Sequence, residues 1–81
     1  MTTDEILRAE IQKWLNKIEP LAKKVVTNNK IGDEMITNMK AYISDSKHFL
    51  AKGDLVRSFE AIVWAFSIYE ICTKLKIIKG G

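Results

Sequence analysis

The chain has 81 residues, 47% of them hydrophobic and 28% charged, with a formal net charge of +3 and a pI near 9.1. That is room for one small domain, residues 1–81, and excludes a second. The composition is that of a globular chain, and the charge excess is too mild for a nucleic-acid coat. One cysteine excludes an internal disulfide and fits a reducing cytoplasm. The opening Met1-Thr2-Thr3-Asp4-Glu5 is acidic where a secretion signal is basic and apolar. No uncharged apolar run approaches the ~20 residues of a membrane span.

The first predicted helix covers about 3–26. Leu7, Ile11, Trp14, Leu15, Ile18, Leu21 and Val25 alternate four and three apart and so form one stripe. Thr2 and Glu5 have capping-box spacing. Pro20 removes a backbone donor, yet the stripe keeps its phase through it. The segment therefore reads as one helix kinked near Pro20, or as two shorter helices. Thr27-Asn28-Asn29-Lys30-Ile31-Gly32 is a polar loop ending in a glycine stop.

A second helix is expected over 33–52, capped by Asp33. Its stripe is Met35, Ile36, Met39, Tyr42, Ile43, Ser46, Phe49 and Leu50, with the Ser46 hydroxyl returned to a carbonyl one turn back. Lys52-Gly53-Asp54 then joins a left-handed helix stop to an N-cap with no spacer, which forces an antiparallel hairpin. The third helix is expected over 54–76, and the tail Ile77-Ile78-Lys79-Gly80-Gly81 is expected to fray. The architecture is all-α, an up-down-up antiparallel three-helix bundle.

The third helix carries two apolar stripes, Leu55, Phe59, Ile62, Phe66, Tyr69 and, nearly opposite, Trp64, Ile68, Ile71, Leu75. Ser58, Ala61, Ala65 and Cys72 fill one gap between them. The apolar and small arc covers roughly two thirds of the circumference, against about 100° or somewhat more for an ordinary surface helix. Either the first two helices wrap the third, or the Trp64–Leu75 stripe is exposed in one chain and buries against another, by default in a symmetric homodimer.

The residues Tyr42-x-x-Asp45-Ser46-x-x-Phe49-Leu50-x-Lys52-Gly53-Asp54-x-Val56-Arg57-Ser58-Phe59-Glu60-Ala61-Ile62-x-Trp64-Ala65 resemble the signature of a family of short archaeal proteins, domain of unknown function 357. The resemblance covers the second and third helices. It implies a small helical bundle and an archaeal cytoplasm, and it brings no catalytic residues. It also leads one to expect a glycine closing the third helix near Lys76, where this chain reads Leu75-Lys76-Ile77. The hairpin also looks like a single tetratricopeptide unit, but such repeats need about three units to bury their faces. HEPN-type ribonuclease hairpins are similar too, but no arginine precedes His48 at their motif's spacing.

Candidate chemistry is sparse. Asp45, His48 and Glu60 are ligand types found in helical-bundle metal sites, but a single histidine and two carboxylates fall short of a ligand set, so no metal or cofactor is expected. Asp45, at the edge of the stripe, is read as an acceptor for Arg57 or Trp64 in a structural polar network of Tyr42, Asp45, Arg57 and Glu60. Cys72 reads as a small buried hydrophobe. No phosphate loop, nucleophile elbow or other catalytic constellation is present, so no enzyme is expected. Lys23, Lys24, Lys30, Lys74, Lys76 and Lys79 converge on one pole of the bundle. They either match helix dipoles or offer a basic surface to nucleic acid or an acidic partner. The preferred expectation is a structural or protein-interaction module that self-associates or docks a partner through the Trp64 stripe, with no membrane contact.

Overall fold

The computed structural model describes residues 2–80. It contains α1 (Thr3–Lys24), α2 (Lys30–Ala51) and α3 (Leu55–Lys74). Trp14 on α1 packs against Phe66 on α3, and Val26 just past α1 pairs with Lys79 just past α3, so these two helices run parallel. Arg8, near the start of α1, donates to the Leu50 carbonyl at the end of α2, 3.3 Å away, so α2 runs the other way. The result is the expected up-down-up bundle. Its core is Ile11, Leu15 and Ile18 from α1, Met39 and Ile43 from α2, and Leu55, Ile62, Ala65 and Cys72 from α3.

α1 runs unbroken through Pro20, which removes the two-helix alternative. Pro20 and Asn16 are both exposed, so the Asn16 carbonyl that lacks its intrahelical amide lies on the wet side of the helix. The Thr2 hydroxyl accepts from the Glu5 amide at 3.1 Å and donates to the Glu5 carboxylate. The helix ends at Lys24, two residues earlier than expected, because Val25 and Val26 turn extended to meet the tail.

α2 starts earlier than its sequence suggests. Asn29, not Asp33, is the N-cap, its side-chain oxygen accepting from the Gly32 amide at 2.6 Å. Gly32 is therefore inside the first turn and stops nothing. It is buried, and an added Cβ would lie 2.7 Å from the Ile77 carbonyl oxygen and collide with the Thr27 hydroxyl. That carbonyl accepts from Thr27 Oγ1 (2.8 Å) and Asn29 Nδ2 (3.1 Å). The α1–α2 loop is thus tied to the end of the chain.

The hairpin forms as its residues dictate. Gly53 has φ 78°, its amide donates to the Leu50 carbonyl and the Asp54 amide to the Phe49 carbonyl. This is the paired closure that a left-handed residue permits at a helix end. Asp54 then caps α3 through the Arg57 amide. Beyond the turn, Ser46 and Ser58 are both fully buried. Ser46 Oγ donates to the Ser58 carbonyl (2.8 Å) and Ser58 Oγ to the Ser46 carbonyl (2.7 Å), with the two hydroxyl oxygens 3.1 Å apart. The expected bond of Ser46 within its own helix is replaced by this reciprocal bond between helices. A helical carbonyl has a second lone pair for it, and two small side chains leave room.

Ile77, Ile78 and Lys79 of the tail do not fray, and Gly81 lies outside the described residues. α3 ends with the same paired closure, Ile77 amide to Cys72 carbonyl and Lys76 amide to Thr73 carbonyl, with Lys76 at φ 59° where the family resemblance anticipates glycine. Ile78 is 2% exposed, and Val26 and Lys79 exchange backbone bonds of 2.9 and 2.8 Å. Burying Ile78 offsets the cost of a side chain in the left-handed region, about 1–2 kcal/mol.

Two outcomes follow for stability. Lys76→Gly adds about 0.5–1 kcal/mol of stability after the extra freedom of glycine in the unfolded chain is subtracted, and so raises the thermal midpoint; an unchanged or lower midpoint contradicts the strained cap. In denaturant titration Ser58→Ala costs about 1 kcal/mol, while Ser58→Val, which drives a branched chain into the closest helix contact, costs more, about 1–3 kcal/mol. Equal costs would contradict close packing at Ser58.

Candidate functional site

α3 meets α2 through small residues, with Ser58, Ala61 and Ala65 all buried, and meets α1 through larger ones. There Trp14 packs edge-on to Phe66 with ring centres 5.0 Å apart. These two neighbours leave one side of α3 bare. On it Trp64 is 55%, Ile71 57% and Leu75 65% exposed, and Ile68 is half-buried. Their four-three-four spacing aligns them on one face. Trp64 is stacked with an offset on Tyr42 of α2, ring centres 6.2 Å apart and planes 20° from parallel, and still keeps more than half of its surface exposed.

Apolar exposure extends further than the stripe. Phe59, placed by its periodicity in the core, is 39% exposed, and Val56 and Val63 are also exposed. Phe59, Val63 and Phe66 join Trp14 in a shallow groove of about 250 Å³ between α1 and α3.

Tyr42, Asp45, Arg57 and Glu60 line one shallow groove on the α2–α3 side with Phe49 and Trp64, but they are not the expected polar network. Arg57 reaches Asp54 at 3.6 Å and lies over the Phe49 ring, 5.9 Å from its centre. Asp45 and Glu60 are exposed, and no hydrogen bond or ion pair joins any two of the four among the described residues. The reason is hydration: a carboxylate at an exposed margin gains little by exchanging water for a neighbour. The buried polar pair of the hairpin is Ser46 with Ser58. The signal for it was a small hydroxyl residue on an apolar or small-residue face of each helix of the hairpin, Ser46 in α2 and Ser58 in α3.

His48 is exposed, its ring 5.8 Å from that of Phe49. Among the described residues no three of His, Cys, Asp and Glu gather as metal ligands would, and no helix is long and apolar enough to cross a membrane. Cys72 is buried in the core, and burial pushes its thiol above the ordinary value, so at neutral pH it is an uncharged thiol and a poor nucleophile.

The six lysines lie at one pole. Lys23 and Lys24 end α1, Lys30 opens α2, Lys74 ends α3, and Lys76 and Lys79 border a notch beside Val26, Thr27 and Asn28. All six are exposed, and none is in an ion pair among the described residues. Lys23, Lys24 and Lys74 suit the negative ends of their helices. Lys30 does not, because as the first residue of α2 it stands at a positive end.

The crystal structure of protein AF1782 from Archaeoglobus fulgidus, a DUF357 protein, superposes on this chain with a TM-score of 0.90 at 40% sequence identity, over 99% of this chain and 100% of that one. No curated protein matches the chain. The family model for proteins of unknown function DUF357 matches residues 9–77, which includes most of α1 as well as the α2–α3 hairpin. With all three helices matched in sequence and in space, the chain belongs to the DUF357 family.

Proposed function

We propose that this chain is a non-enzymatic association module that works through the α3 face of Trp64, Ile68, Ile71 and Leu75, with a second copy of the chain as its occupant. The observation that supports the reading is that three large apolar side chains of one helix face are each more than half exposed. Removing such surface from water contributes about 25 cal/mol per Å², and two-fold pairing lets one patch be covered twice over. The absence of a nucleophile–base or ligand cluster in the sequence leaves this face as the strongest chemical feature of the surface.

Light scattering and sedimentation test the reading. The native chain gives a concentration-dependent particle of twice the 9.3 kDa chain mass, while Trp64→Glu stays at the single-chain mass with its helical content unchanged. A native chain that remains single at about 1 mM, where a contact worth ~4 kcal/mol would show, overturns the reading.

A second reading has its own observation, Lys30 against the dipole in a pole of six exposed lysines. In it the pole binds nucleic acid as an accessory surface. Retention of a duplex of mixed sequence then falls steeply as salt rises and is lost in Lys23→Glu/Lys24→Glu; salt-independent retention contradicts it.

A further inference from the structure

The geometry points to an antiparallel two-fold pairing of α3 with the α3 of a second copy, in which Glu60 meets the partner's Lys74. This rests on the reading of the Trp64 face as an association surface and adds its orientation. The two margins of the face differ. Along one run Glu60, Ser67 and Lys74, spaced by seven and hence in one line on the helix. Along the other run Ser58, Ala65 and Cys72, also spaced by seven, uncharged and buried. Within α3 only the first margin is open and charged. Its acid lies toward the start of α3 and its base at the end, and neither is in an ion pair among the described residues.

Parallel pairing sets each margin against the partner's opposite margin. Glu60 would then face the margin where the exposed Asp45 of α2 stands beside Ala61, a like charge rather than a counter-charge. Antiparallel pairing sets each margin against its own copy. With the two-fold axis at Ser67, Glu60 and Lys74 stand seven residues to either side, so the Glu60–Lys74 pair forms twice in the dimer. Trp64 and Ile71 flank the same axis, so the indole of each chain lies on the isoleucine of the other. Arg57, nearer the start of the face, is already engaged by Asp54 and needs no partner across the axis. Exposed ion pairs of this kind choose orientation more than they add affinity.

Charge reversal and cross-linking test the pairing. Glu60→Lys and Lys74→Glu each raise the dimer dissociation constant about tenfold, as expected for two exposed ion pairs turned to repulsion. Glu60→Lys/Lys74→Glu together restore it to within about threefold, and high salt erases the differences. Ser67→Cys is joined into a covalent dimer by a short bis-maleimide, with the native chain and its buried Cys72 as the unreactive background. If the native chain dimerises but the reversals change nothing and Ser67→Cys is not joined, the antiparallel register is wrong and the association face stands. If the native chain is single at every concentration, both fall.

Discussion

The contact on which the rest of the structure depends is the reciprocal bond between Ser46 and Ser58. Two hydroxyls in a fully buried site each donate to the other helix's backbone. This holds α2 and α3 closer than any pair of larger side chains would allow, and the buried Ala61 and Ala65 continue the approach along α3. With α2 drawn in over the small residues and α1 packed on Ile62 and Phe66, both neighbours of α3 are committed to one half of its circumference. The Trp64–Leu75 arc is what they leave. The device that makes the hairpin tight also makes the face bare, so the two features belong to one design.

The opposite pole is closed by a different logic. Its loop and its tail each lack the length for regular structure, yet together they satisfy one another. The Ile77 carbonyl takes two side-chain bonds, from Thr27 and Asn29. Val26 and Lys79 pair as a one-residue ladder, and Ile78 is driven into the core. Lys76 is held in a left-handed conformation because Ile77, Ile78 and Lys79 after it are already fixed, the usual condition under which such strain persists. The lysines that crowd this end are thereby mounted on hydrogen-bonded backbone.

The bundle was legible wherever the information is local. Lys52-Gly53-Asp54 dictates its turn without help from elsewhere, and the heptad-like spacing of Trp64, Ile68, Ile71 and Leu75 marks their face before any packing is known. What could not be read depends on segments distant in sequence. Asn29 and Asp33 are equally good caps by chemistry; the choice falls to Asn29 because Gly32 must be smooth where Ile77 crosses it, and Ile77 is far along the chain. The same contact makes the tail order rather than fray. Asp45 was ambiguous for another reason: a position at the edge of a stripe is compatible with a buried acceptor or a hydrated one, and only the path of Arg57 toward Asp54 decides it. Phe59 lies in phase with the core but at the rim of α1's cover, which periodicity does not register.

The central claim is that α3 has more apolar surface than its two companions cover and that a second chain covers it. Trp64 reports this directly once Trp14→Phe leaves it as the sole indole. Quenching of its emission by acrylamide should be weak in concentrated solution and become strong on dilution, with no loss of helix. Equal quenching at every concentration, whether strong or weak, would contradict the account.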